Sequence, residues 1–373
     1  MGTAEARADY RQCVRWLVIR AKLARQLRCA ALGRLWLVLL GGVLLQPLSG
    51  LAEPVVIKFA TLAPEGTPWM NAMEEMNREL REKSAGQLSF RFYAGGVAGD
   101  EPDVLDKIRR NQLHGSVFGG FSLGDVLPEV RVLELPLVFR TSAEADYVAT
   151  ALFEHFATAF AQKGFVLLGL NEAGAVYIFS KTPIRTSADM ARAKIWTWQG
   201  DPLPQAILQA YGIVPIPLPL PEVLPSLQSG RIDACYGTPL TVLALQWSPK
   251  VKYRTALPIT NVIGALLLSE SLWRQLSAEQ QTLVRETVRK FNARAVANMR
   301  QYESKALTLL ETTAGIETVT APAEEVTRLQ QVSEQVRQEL IGKLYPAALL
   351  DRVLALRDTY RDTHKSEVGA SPR

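Results

Sequence analysis

The sequence predicts a two-lobed α/β protein. Strand-like and helix-like segments alternate from residue 55 onward, the pattern of a sheet with crossover helices. About 320 residues come after the opening segment, more than one typical hydrophobic core organises. Late in the chain runs an amphipathic helix too long for a single lobe.

The opening segment reads as a secretory leader. Residues 1–34 hold eight of the 42 basic residues and only Glu5 and Asp9 of the 37 acidic ones. Leu35–Leu45 is uncharged and apolar, and Gly50-Leu51-Ala52 puts small residues where a signal peptidase reads. An apolar run this short falls below the roughly 20 residues of a membrane span. The expectation is a signal peptide over 1–52, cleaved near Ala52 and placing the rest in the periplasm; an uncleaved anchor is the alternative. The leader also accounts for the basic balance. The whole chain is +5, but residues 35–373 alone sum to about −1, so no nucleic-acid partner is implied. Cys13 and Cys29 lie in the leader, leaving Cys235 alone and without an internal disulfide partner.

Each element has its own local signal. Val55–Ala60 reads as a buried strand. Thr67-Pro68 opens a helix, with Thr as N-cap and Pro at the first helical position. Leu88–Tyr93 alternates as a strand, 102–111 is a short helix, Ser116–Phe118 a strand and 143–162 one helix. Phe165–Leu170 and Val176–Ser180 read as two strands either side of a break near Gly174. Further strands are expected at 194–198, 214–217, 232–236 and 263–268, with helices at 203–211 and 222–229 between them. Ser277-Ala278-Glu279-Gln280 is a capping box. Val284, Val288, Phe291, Ala295, Met299, Tyr302, Ala306 and Leu309 then recur three and four apart over about 30 residues, roughly 45 Å of helix. Such a helix is expected to cross both lobes. Helices at 326–344 and 346–361 close the fold, before a disordered tail over 362–373. The expected lobes are 53–173 with 262–302, and 174–261 with 303–361, the latter including the C-terminal helices.

Motifs of catalysis are missing. His114, His155 and His364 have no metal-type spacing, and neither a Walker loop nor a G-x-S-x-G elbow occurs. No catalytic residue, metal site or cofactor is expected. Asp100, Glu101, Asp103 and Asp106 cluster, but carboxylates in a first helical turn complement the helix dipole without any ligand. Cys235 has no nearby activating group and reads as an inert buried thiol. What stands out is aromatic. Trp196 and Trp198, two apart on one strand, face the same side. Tyr236 follows a strand end, and Trp69 and Trp247 sit beside prolines. Aromatics at the carboxyl ends of strands mark the crevice where α/β proteins bind ligands. The candidate ligand-contacting set is Trp69, Phe118, Phe121, Trp196, Trp198, Leu220, Tyr236, Thr238 and Trp247.

Several segments, taken in order, resemble the extracytoplasmic solute-binding proteins of TRAP (tripartite ATP-independent periplasmic) transporters, of the C4-dicarboxylate receptor type. They are Phe59-Ala60 leading to Pro68-Trp69, residues 93–100 (YAGGVAGD) and 132–139 (VLELPLVF), Lys181-Thr182-Pro183-Ile184, residues 189–195 (DMARAKI), Pro221-Glu222-Val223, and residues 226–233 (SLQSGRID). The resemblance implies a clamshell periplasmic-binding-protein fold, a small-molecule ligand, membrane permease subunits as partners, and no catalysis. It implies hinge closure near 170–174 and 261–264. A periplasmic ligand sensor, or a periplasmic enzyme using Asp233 or Glu222 with Tyr236, are the alternatives.

The departures are as informative. In familiar members an Arg follows Lys-Ile and grips the ligand carboxylate with two parallel hydrogen bonds; here Trp196 stands there. A second family Arg corresponds to Val176, and a family Asn falls at Gly237 or Thr238. Arg192 lies before the strand and is a poor substitute. The expected ligand is therefore largely apolar or aromatic rather than a simple dicarboxylate.

Overall fold

The computed structural model describes residues 53–364. The expected signal peptide over 1–52 and most of the expected tail lie outside the described residues. No described helix is long and apolar enough to cross a membrane.

The described residues form ten strands: β1 (Val55–Ala60), β2 (Leu88–Tyr93), β3 (Gly115–Gly119), β4 (Phe165–Ser180), β5 (Trp196–Trp198), β6 (Ile216–Leu218), β7 (Ala234–Gly237), β8 (Tyr253–Thr255), β9 (Thr260–Ser269) and β10 (Glu317–Val319). Eight make one sheet in the order β10-β8-β4-β9-β3-β1-β2, with β7 also on β4; β5 and β6 pair parallel in a small second sheet.

The two strands expected at 165–170 and 176–180 are one strand of 16 residues. The first part of β4 pairs antiparallel with β9, and its last residues pair with β7 and β8. β4 therefore joins the β7, β8 and β10 part of the sheet to the β9, β3, β1 and β2 part. Its register slips between Leu167 and Gly169 and again between Glu172 and Gly174. The break anticipated at Gly174 is such an irregularity rather than a loop. Gly174 has φ 132°, and a Cβ there would lie 2.9 Å from Cγ2 of Thr238, so backbone conformation and space both demand glycine.

The region 143–162 forms two helices, Ser142–Ala151 and Phe153–Gln162, broken at Leu152. The long helix runs Ala278–Thr312, 35 residues, or about 52 Å. Its N-terminal half packs on the Pro68–Lys83 helix, where Lys290 meets Glu79 at 2.7 Å. Its C-terminal half packs on the Pro239–Ala244 helix, where Glu303 accepts the Leu240 N–H at 3.0 Å. The expected apolar face needs one correction: Leu309 is half exposed and Leu310 is buried. A small drift in helical phase over the about seven turns from Val284 suffices to shift the last residue of the stripe.

The helix Ala347–Thr363 buries Leu349, Leu350 and Val353 with Phe156 and Phe160, and Arg361 pairs with the fully buried Glu144 at 2.8 Å. This C-terminal helix thus packs beside the Ser142–Gln162 pair. It also continues past 361, where the tail was expected to begin.

Candidate functional site

A cavity of about 460 Å³ opens between the ends of β1, β3 and β9 on one side and β5, β7 and the long helix on the other. This is an ordinary size for a small-molecule site. Eight of the nine candidate residues line it: Trp69, Phe121, Trp196, Trp198, Leu220, Tyr236, Thr238 and Trp247. Phe118 does not, and this corrects the expectation. On β3 its neighbours Val117 and Gly119 face the cavity, so strand alternation turns Phe118 into the core, where it is fully buried.

The aromatics form a connected wall. The ring of Tyr236 stacks on Trp196 with centroids 4.7 Å apart, Trp247 meets Trp196 edge-on at 5.7 Å, and Trp198 lies 6.2 Å from it. Phe121 tilts against Trp198 at 5.7 Å. Gly200, with φ 89°, leaves room for Phe121, since a Cβ there would stand 3.3 Å from its Cζ. The indole N–H of Trp196 donates to the Leu218 carbonyl at 2.9 Å, and the Trp198 backbone N–H donates to the Tyr236 hydroxyl at 3.1 Å. Trp196 therefore has no donor left over and is only 2 % exposed. It shapes the cavity as an apolar block. Thr238 caps the Pro239–Ala244 helix, its Oγ1 accepting the Thr241 N–H at 3.2 Å. Val176 lines the wall and is buried.

Sequence reasoning missed the charged part of the wall. Arg131, in a 3₁₀ turn spanning Pro128–Glu134, donates to both carboxylate oxygens of Asp201, at 2.9 and 3.2 Å. Its Nε lies 2.7 Å from Oε2 of Glu134, an ion pair without good hydrogen-bond alignment. Glu134 in turn accepts the Ile263 N–H of β9 at 2.8 Å. The turn Gly119-Gly120 must pass this carboxylate closely: a Cβ on Gly120 would lie 1.9 Å from Glu134 Oε2. Glu101, Glu172 and Glu303 complete the acidic groups of the cavity wall. Burial pushes the carboxyls of Glu101 and Glu303 up to about 7, and it raises those of Glu134 and Glu172 as well.

Other candidates stay apart. Glu222 pairs with Arg231 in an exposed contact, Asp233 accepts the Lys194 N–H at 2.7 Å, and neither joins Tyr236 in the cavity wall. Arg192 is exposed and bound to Asp189. Cys235 is fully buried, and burial raises its thiol well above the ordinary range. Among the described residues no group of three or more His, Cys, Asp or Glu is placed to hold a metal.

The profile of "Bacterial extracellular solute-binding protein, family 7" matches residues 59–343. The chain belongs to this family. Family 7 proteins are the solute-binding receptors of TRAP transporters, not enzymes, and the matched span holds every wall residue described above. Among curated relatives, a solute-binding protein of Chromohalobacter salexigens is 24% identical over 269 residues, covering 72% of this chain and 78% of its own. The C4-dicarboxylate-binding periplasmic protein of Rhodobacter capsulatus is 20% identical, covering 79% of this chain and 89% of its own. Among solved structures, a TRAP periplasmic solute-binding protein from Pseudomonas putida F1, crystallised with D-glucuronate, is 26% identical. It superimposes with a TM-score of 0.73 over 80% of this chain and 96% of its own. The family 7 receptor described here therefore has the two-lobed α/β fold expected of it.

Proposed function

We propose that this receptor binds a largely apolar or aromatic small molecule, rather than a simple dicarboxylate, and delivers it in the periplasm to the membrane permease of a TRAP-type transporter. One observation carries the ligand class. The only cation lining the cavity among the described residues, Arg131, is already gripped by Asp201 and Glu134, so none is left to meet a ligand carboxylate. Desolvating an anion without a partner is costly. Burying apolar surface against Phe121, Trp198 and Tyr236 is favourable by about 25 cal/mol per Å².

Delivery requires opening and closing. The two segments proposed as hinges, 170–174 and 261–264, are neighbours in the sheet, with Asn171 opposite Gly264 and Gly174 opposite Val262. A bend at the register slip beside Gly174 would change both strands together. On this reading the lobes are 53–173 with 262–302 and 174–261 with 303–361, and the C-terminal helix leans back onto the first.

Native mass spectrometry of protein taken from the periplasm without denaturation tests the proposal. A retained apolar or aromatic compound supports it, and a retained small dicarboxylate overturns it. The same sample gives the mature N-terminus, expected near Ala52.

A further inference from the structure

We infer that the ligand carries a positive charge, an alkyl- or arylalkylammonium group held beside the carboxylate of Glu101 and against the faces of the cavity aromatics. This deepens the proposed function and rests on its apolar-ligand reading.

The charge balance of the wall comes first. Among the described residues five carboxylates line the cavity, those of Glu101, Glu134, Glu172, Asp201 and Glu303, against the single guanidinium of Arg131. Asp201 and Glu134 are consumed by that guanidinium. Glu303 and Glu172 each accept a backbone N–H, from Leu240 and Gly174 respectively. An anionic ligand would meet a wall of its own sign, whereas a cation would meet complementary charge.

Glu101 is the group left incomplete. It is 7 % exposed, its Oε1 accepts the Gly119 N–H at 2.9 Å, and its Oε2 is buried with no well-formed hydrogen bond. The Ser122 hydroxyl beside it is likewise buried and off good geometry. Ser122 offers this carboxyl oxygen only a poorly aligned neutral donor, and an ammonium N–H approaching from the cavity would supply a charged one. A role in helix capping does not account for it, because Asp100 and Asp103 already form the capping box of the Glu101–Arg109 helix.

The aromatics supply the other half. A cation over the face of a Trp or Tyr ring is attracted by the ring quadrupole, more strongly where water is excluded. Trp198, Phe121 and Tyr236 present such surfaces within one wall. Aromatic walls suit an organic ammonium better than a hydrated metal ion.

Glu101 must be ionised to serve. The charged groups facing it are Asp100 on its own helix and Glu134 from the 3₁₀ turn, with the Gly119 N–H from β3 and Ser122 from the following helix; burial and the two carboxylates favour the neutral acid. Binding of an ammonium therefore tightens as pH rises from 6 to 8, while an alkylamine stays protonated throughout.

The test uses three compounds of matched size, phenethylammonium, 2-phenylethanol and 3-phenylpropionate, titrated at pH 8 with tryptophan fluorescence and calorimetry as readouts. The ammonium is expected to bind about tenfold or more tighter than the alcohol, with the carboxylate weakest. Glu101→Gln keeps an acceptor for Gly119 and should bring the affinity of the ammonium close to that of the alcohol. An ammonium that binds the wild-type protein no tighter than the alcohol overturns the inference, whether or not the variant folds. If the alcohol then still exceeds the carboxylate, the apolar-ligand reading survives alone. The carboxylate binding tightest overturns both.

Discussion

Arg131 donates two hydrogen bonds, 2.9 and 3.2 Å long, to the two carboxylate oxygens of Asp201, 70 residues further along the chain. Both side chains are buried. Asp201 is also the N-cap of the Pro202–Ala210 helix, its Oδ1 accepting the Leu203 N–H at 3.1 Å. One pair thus withdraws the cavity's guanidinium from ligands, fixes the start of a helix, and ties the two sides of the cavity together.

Removing one partner of a buried pair leaves the other charge without compensation. Asp201→Ala should lower stability by about 3–5 kcal/mol, with lost capping included in the measured effect. It should also release Arg131 to meet anions. Thermal unfolding measures the first effect and titration with succinate the second. An unchanged melting temperature would mean that the pair is solvated in solution.

Stability should depend on pH in a specific direction. The carboxyls of Glu101 and Glu303 are raised from the ordinary 4.5 to about 7, so the folded state binds more protons than the unfolded state between these values. Stability from these groups is therefore greatest at the acid side of that window and falls as pH rises through it. The ligand-free protein should melt at a higher temperature at pH 5.5 than at pH 8. Glu101→Gln should reduce the difference, with Glu303 keeping part of it, and a flat profile in the unmodified protein would contradict the burial of these groups.

Trp196→Arg places a guanidinium among Tyr236, Trp198 and Trp247 and removes the N–H donated to Leu218. Loss of the buried indole should cost about 3 kcal/mol or more of stability. Affinity for an apolar ligand should fall, and affinity for a simple carboxylate should rise from its low starting value. Differential scanning fluorimetry with each ligand class reads both changes. An apolar ligand bound as tightly by the variant would remove Trp196 from the site's architecture.

Much of the fold was legible because local patterns carry it. Thr67-Pro68 caps its helix as read, the capping box at Ser277 begins the long helix, and Trp196 and Trp198 share a face because strands alternate. The same alternation, not applied to β3, would have excluded Phe118 in favour of Val117 and Gly119. The charged wall was not legible, because Arg131 finds Asp201 only through tertiary folding. One signal was present: Arg131 and Glu134 sit three apart within an otherwise apolar run, a spacing that suits a buried ion pair. Glu101 sits in a first helical turn, where a carboxylate serves the helix dipole. The approach of Gly119, which only the tertiary fold brings about, makes the same carboxylate part of the cavity wall.

The central claim is that the cavity has no free positive charge for a carboxylate. Calorimetry of the unmodified protein with succinate, a 2-oxo acid and a medium-chain apolar compound tests it most directly. The account predicts measurable binding of the apolar compound and none of succinate or the 2-oxo acid. Micromolar or tighter binding of succinate would contradict it, because Arg131 would then have to leave Asp201 to meet the ligand.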